Sequence, residues 1–254
     1  MTIIYKIPVC KCNIVEYEKY MKEEDQQNKE REKEKKRIEM EDKQIKLDKL
    51  KKYSMMDQNF LNSTFENWEL TKTPQNIKEI GLKYVAKWEE IRSKNNGLLI
   101  WGVPGNGKSY LSFCIANALL EQYIPVIAIS TIGLLNRIKD TYKKWGKEGE
   151  TEIINSLNNA SLLVLDDIGA EANTDWTKEK LYEIIDTRYR SHKPTIATTN
   201  LNPDELRIKL TGLDEIDRTY DRLIEMCTPM ELKGESKRRI IAQEKEEEFR
   251  KMFR

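Results

Sequence analysis

Eight consecutive residues, Gly102-Val103-Pro104-Gly105-Asn106-Gly107-Lys108-Ser109, fit the pattern G-x-x-x-x-G-K-[ST]. In this pattern the glycines let the backbone curl until successive N–H groups point inward at phosphate oxygens, and the following helix adds its positive end. Gly102, Gly105, Asn106, Gly107, Lys108, Ser109 and Tyr110 are therefore the candidate nucleotide contacts. Lys108 would reach the β and γ phosphates, and Ser109 would ligate Mg²⁺. A second element is the run Leu162-Leu163-Val164-Leu165 followed by Asp166-Asp167. A carboxylate at the end of a buried strand can hold Mg²⁺, so Asp166 is the candidate metal ligand beside Ser109. Asp167, one step further, is placed to orient or deprotonate an attacking water. The third element, Pro194-Thr195-Ile196-Ala197-Thr198-Thr199-Asn200, ends in an amide that could hold the lytic water or sense the γ-phosphate.

These residues need a scaffold that brings three chain segments together. Four short apolar runs read as strands: 98–101, 125–130, 162–165 and 195–198. A last candidate strand is 229–232. Helical patterns lie between them at 108–122 and 132–144, at the face formed by Leu181, Ile184, Ile185 and Arg188, and at 214–226. Strands alternating with helices predict an α/β fold with a parallel five-stranded sheet between helices, its ligands beyond the carboxyl ends of the strands.

The remaining sequence excludes several chemistries. A single histidine, His192, gives a Ser-His-Asp hydrolase or a multi-histidine metal centre little to work with. Four cysteines in 254 residues do not make a disulfide scaffold, and no apolar run has the length of a membrane span or a secretory signal. A cytoplasmic protein is expected. Net charge is only +1, so nucleic-acid binding would have to come from a local patch. The charge is concentrated at the front: residues 22–52 hold 12 basic and 10 acidic side chains and no Gly or Pro. Opposite charges three and four apart predict a solvated helical arm, read either as a spacer or as a partner-binding helix using the Ile38 to Leu50 stripe. The boundary with the packed domain is expected near residue 58. Cys10 and Cys12 are read as free thiols; zinc is the alternative, but it normally needs four ligands and this pair supplies two.

The phosphate loop, Leu-Asp-Asp-Ile-Gly-Ala-Glu (165–171), Leu-Tyr-Glu-Ile-Ile-Asp-Thr-Arg-Tyr (181–189), Pro-Thr-Ile-Ala-Thr-Thr-Asn-Leu (194–201) and Asp-Arg-Leu-Ile-Glu-Met-Cys (221–227) occur in the order found in one family. Over residues 58–240 the chain resembles the DnaC/DnaI-type helicase loaders, AAA+ ATPases related to the IstB transposition helpers. The resemblance implies a P-loop NTPase with the AAA+ strand order, ATP and Mg²⁺ bound between neighbouring subunits, and a ring or spiral that grips single-stranded DNA while delivering a hexameric replicative helicase. It makes Lys108 and Ser109 the Walker A pair, Asp166 and Asp167 the Walker B pair, and Asn200 sensor 1. Arg222 becomes the arginine finger and Arg238 the sensor-2 arginine, with Arg218 and Arg239 as their alternatives. An ion pair with Asp221 or Glu225 is the structural reading of Arg222. Family members often carry a fuller cysteine set than Cys10 and Cys12, and the stretch after Arg238 is short for the helical lid of many other AAA+ proteins.

For DNA, the segment 132–147 offers Arg137, Lys139, Lys143, Lys144 and Lys147, with Tyr142 and Trp145 for stacking. A merely solvated amphipathic helix fits the same residues. The expected function is a helicase loader, with 1–57 as the helicase-docking region and 58–254 as the ATPase domain. An IstB-like transposition helper, a non-catalytic adaptor switched by ATP and, more remotely, a small-molecule kinase are the alternatives.

Overall fold

The computed structural model describes residues 14–57, 60–68, 75–144, 146–212 and 214–253. Cys10 and Cys12 lie outside them, as does Trp145; the side chains of Lys143, Lys144 and Lys147 are also not described. By packing, the chain divides into two units, Met1–Asp48 and Lys49–Arg254.

The described part of the first unit, residues 14–48, is helical and belongs to α1 (Ile14–Tyr53). Its ion pairs follow the helical spacing: Lys29 with Asp25 at 2.6 Å, and Arg37 with Glu34 at 2.7 Å. Such solvated pairs are screened by water and add little stability. Ile38, Met40 and Ile45 are exposed, so this stretch has no core of its own.

The second unit is built on a parallel sheet. After α2 (Gln75–Ala86) and α3 (Trp88–Ser93) come β1 (Gly97–Trp101), α4 (Lys108–Glu121), β2 (Val126–Ser130), α5 (Thr131–Lys144), α6 (Gly146–Asn159) and β3 (Leu162–Asp166). The order continues with α7 (Asp175–Arg190), β4 (Thr195–Thr199), α8 (Pro203–Leu210), α9 (Arg218–Met226), β5 (Cys227–Glu231) and α10 (Lys237–Met252). The strands are ordered β2-β3-β4-β1-β5 and every described pairing is parallel. The expected fold class is therefore observed. β3 and β4 are buried along their whole length, which explains their continuous apolar or threonine-rich runs. β5 and α9 differ from expectation in extent: β5 runs Cys227–Glu231 rather than 229–232, its first residue paired with Gly97 of β1. α9 starts at Arg218 rather than 214, because the chain turns at 212–216 and Glu215 has φ +59°, outside the right-handed helical region. By packing, residues from Lys49 onward group with the sheet, and the Ser54 carbonyl accepts the Ala128 N–H at 2.8 Å. That bond covers part of the β2 edge, where unpaired backbone groups are a liability.

Arg188, on the apolar face of α7, is fully buried. Its Nη1 donates to the carbonyls of Leu157 at 3.0 Å and Ala160 at 2.7 Å, and Nη2 donates to that of Pro194. Burial lowers its pKa to about 9. The guanidinium thus terminates α6 and joins it to the loop before β4. Arg188→Met leaves these carbonyls without their donor, at a cost of roughly 1–3 kcal/mol for each buried group left unsatisfied. We expect Tm to fall by about 10 °C, since a domain of this size loses about 2–4 °C per kcal/mol. A calorimetric shift below about 2 °C would show that the carbonyls find other donors.

Candidate functional site

Beyond the carboxyl ends of β1, β3 and β4 the three segments meet around a cavity of about 530 Å³, lined among others by Gly105, Gly107, Lys108, Ser109, Tyr110, Asp166, Asp167, Asn200 and Arg238. The register of the sheet brings them together: Trp101 pairs with Thr199, and Leu165 with Ala197, so the loops after β1, β3 and β4 leave the same edge. Gly105 and Gly107 have φ of +83° and +104°, a region that an L side chain rarely adopts. A Cβ on Gly105 would also collide with Ser236 Oγ. The N-cap of α4 is Gly107, which has no side chain to offer, and the first backbone bond of the turn is Leu111 N–H to the Gly107 carbonyl. The preceding amides are left without helical acceptors at the cavity, a donor set suited to phosphate.

Lys108 is 5% exposed and its ammonium is surrounded by oxygen. Nζ donates to the carbonyls of Gly102 at 2.8 Å and Val103 at 2.9 Å, to Asn106 Oδ1 at 3.3 Å and to Asn200 Oδ1 at 2.8 Å. Asn200 Nδ2 in turn donates to Asp167 Oδ1 at 2.7 Å, so one amide bridges the cation and the carboxylate. Burial lowers the Lys108 pKa, against the pull of Asp167 and Asp166. Burial, reinforced by Asp166, raises that of Asp167, while Lys108 and Arg238 oppose the rise. Asp167 has φ +58°, a left-handed conformation that Asp tolerates better than most residues. Asn106 is 2% exposed and donates to the Leu232 carbonyl, tying the glycine loop to the chain after β5.

Several residues that the sequence argument passed over belong here. Thr198 donates to Asp166 Oδ1 at 2.6 Å and accepts the Asp167 N–H at 2.9 Å, fixing both carboxylate residues. Phe60, Asn67 and Trp68 form another wall with Tyr110. Tyr110 and Trp68 meet edge to face at 5.3 Å, and the Tyr110 hydroxyl donates to the Asn67 carbonyl at 3.1 Å. Lys237 joins Arg238 on the lining, and its N–H donates to the Gly105 carbonyl at 3.0 Å.

The other expected site residues stand apart from this cavity. Arg222 on α9 pairs with Asp186 of α7, Nε to Oδ1 at 2.8 Å, rather than with Asp221 or Glu225. Arg218 pairs with Asp214. Arg137 and Lys139 are exposed on α5, with Lys139 Nζ 4.6 Å from the centre of the Trp176 ring. The Tyr142 hydroxyl donates to Glu150 Oε2 at 2.6 Å. Cys114 and Cys227 are buried free thiols with pKa values pushed up to about 12 by burial.

A parallel sheet in this order, with a glycine-rich loop opening α4 and a carboxylate pair at the end of β3, defines a P-loop nucleotide-binding protein of the AAA+ type. The family described as IstB-like ATP binding protein matches residues 17–245, and the chain belongs to that family. It is similar to the replicative helicase loader DnaC of Escherichia coli strain K12, 33% identical over 158 residues, a match covering 62% of each chain. The replicative helicase loader DnaI of Bacillus subtilis is 26% identical over 201 residues, covering 76% of this chain and 64% of its own. A crystal structure of DnaI superposes with TM-score 0.58 at 25% identity, over 71% of this chain and 93% of that one.

The donor set fits a nucleoside triphosphate with its magnesium ion. Among the described residues no group of three or more His, Cys, Asp and Glu side chains could hold a metal ion. Mg²⁺ usually takes one or two protein ligands and completes its shell with phosphate oxygens and water, and Ser109 and Asp166 line the same cavity. No helix among the described residues is long and apolar enough to cross a membrane.

Proposed function

We propose that this protein is an ATP-dependent loader of a replicative DNA helicase, acting on single-stranded DNA and hydrolysing ATP at the interfaces between its own copies. The observation that carries the ATPase reading is the continuous chain from Lys108 through Asn200 to Asp167 within one cavity. In this reading the loop amides and Lys108 bind the phosphates, and the aromatic wall of Trp68, Tyr110 and Phe60 takes the base. Ser109 and Asp166 would hold Mg²⁺, which would supply neutralisation of phosphate charge. Asp167 accepts a proton from the attacking water, which Asn200 orients. Arg238 contacts the phosphates from α10, and Arg222 serves the site of the next copy. A γ-phosphate would draw Lys108 away from the Asn200 oxygen and leave the amide free to meet water, so phosphate occupancy and water positioning are coupled through one side chain.

The names of the relatives support the helicase as partner. In this reading residues 1–57 are the docking region and 58–254 the ATPase domain. The full chain should retain a replicative helicase on an affinity column, and the chain lacking residues 1–48, which leaves the compact unit whole, should not; no capture by the full chain contradicts the loader reading. The DNA grip is assigned to Arg137, Lys139, Tyr142, Lys143 and Lys144. The IstB-like family description favours a second reading, a transposition helper, which predicts preference for duplex DNA and no capture of the helicase.

Thr198 offers a further test. Thr198→Val keeps the side-chain shape but removes the donor to Asp166 and the acceptor for the Asp167 N–H. Partners that orient metal ligands usually contribute 10- to 100-fold to activity, so steady-state ATP hydrolysis should fall by about that factor. Unchanged turnover would remove Thr198 from the machinery.

A further inference from the structure

Asp186 has no part in the chemistry above, yet the packing ties it to Arg222. Tyr182, Asp186 and Tyr189 lie four and three residues apart on α7, which puts them on one face of that helix. Arg222 lies over this face, its guanidinium carbon 5.0 Å from the centre of the Tyr182 ring and 5.6 Å from that of Tyr189. The Asp186 carboxylate faces its Nε at 2.8 Å, with only 22% of the Arg222 side chain and 16% of the Asp186 side chain exposed. The cradle is anchored in turn: Asp186 Oδ2 accepts from Arg190 Nε at 2.7 Å, and the Tyr189 hydroxyl is 3.0 Å from both oxygens of Glu225.

This arrangement differs from an ordinary surface pair. A carboxylate that served only to neutralise an arginine would gain most from a fork of two parallel bonds. Here the carboxylate faces Nε, while Nη1 donates to the Arg218 carbonyl at 3.3 Å. The two buried atoms Nε and Oδ1 are close without the N–H being aligned on the oxygen, so charge and ring stacking hold the group rather than a directional bond. An arginine side chain carries about 2 kcal/mol of rotamer entropy, and fixing it in advance removes that cost from each engagement.

We propose that Asp186 is a positioning residue for Arg222: with Tyr182 and Tyr189, and with Nη1 held by the Arg218 carbonyl, it fixes the guanidinium by its Nε side and leaves Nη2 for the γ-phosphate bound by the next copy. The proposal rests on the reading of Arg222 as a residue supplied across the subunit interface.

The test uses the full chain with single-stranded DNA and helicase, measuring kcat and KM for ATP in D186N, R222A and the D186N/R222A double variant. Asparagine keeps the size and an oxygen for Arg190 but removes the charge. D186N should lower kcat about 10-fold, the effect of about 1.4 kcal/mol in the transition state, with KM within twofold. The double variant should be no slower than R222A alone. Wild-type kcat in D186N beside an inactive R222A overturns the positioning role and leaves the finger in place. A double variant slower than R222A overturns it as well, because Asp186 would then act by another route. Wild-type kcat in R222A withdraws the finger reading and this proposal together. Should D186N fail to fold, Tyr182→Leu is carried through the same comparison with the same criteria.

Discussion

Lys108→Ala should weaken ATP binding by at least about 100-fold, measured by titration with a fluorescent ATP analogue. Hydrogen bonds to charged groups contribute roughly 1.5–3 kcal/mol each, and two phosphate contacts at the lower figure already give about that factor. Stability without nucleotide should respond far less. The ammonium is desolvated among four oxygens and its pKa is lowered, so removing it relieves a buried cation while Asn200 and the loop carbonyls lose a donor. Opposite changes in the two measurements, intact binding with a large loss of stability, would make Lys108 a structural residue.

Arg222→Ala should leave ATP affinity within about twofold and reduce assembly-dependent hydrolysis by about 1,000-fold, the lower end of the contribution made by arginine fingers in phosphoryl transfer. The split follows from the geometry. Arg238, Lys108 and Asp167 line the cavity, whereas Arg222 is held on α7 by Asp186 and two tyrosine rings. Under the proposed function its action is on the site of another copy. Arg218→Ala is the companion measurement: Arg218 is half exposed and paired with Asp214, and a loss confined to that variant would move the finger one helical turn earlier. A variant lacking Arg222 that hydrolyses ATP at the wild-type rate would contradict the assignment.

The centre of the sheet was legible because three of its strands end in a chemical boundary. β1 ends at the glycine loop, β3 at Asp166-Asp167 and β4 at Asn200, and burial on both faces removes the alternation that would blur such runs. α6 was harder to read, since Gly146-Lys147-Glu148-Gly149-Glu150 opens it without an apolar stripe. α8, by contrast, carries a readable start in Asn202-Pro203-x-Glu205, whose capping box is formed. The role of residues 51–57 was invisible because it lies in a backbone carbonyl: nothing in the side chain of Ser54 announces a bond to the β2 edge. Aromatic residues gave a different ambiguity. Trp68 is buried and looks like core from its type alone, and only the path of the chain beside α4 puts it at the nucleotide cavity.

Arg222 shows where pattern stops being informative. Its neighbours in sequence, Asp221 and Glu225, were the natural partners to consider, but the contact is made with α7, and the pairing of α7 with α9 cannot be read from the periodicity of either. Thr198 shows the complementary case. It lay within the segment singled out for Asn200, and a hydroxyl two residues before that amide, on a strand beside Asp166, was a usable signal for a residue that fixes the carboxylates.

The most direct test of the account is ATP hydrolysis by the purified full chain, measured alone, with single-stranded DNA, and with DNA and the cognate replicative helicase together. The account predicts low turnover alone and a marked rise when DNA and helicase are added, lost in both the Lys108 and Arg222 variants. Tight ATP binding with no hydrolysis under any of these conditions would contradict it and make the protein an ATP-switched adaptor.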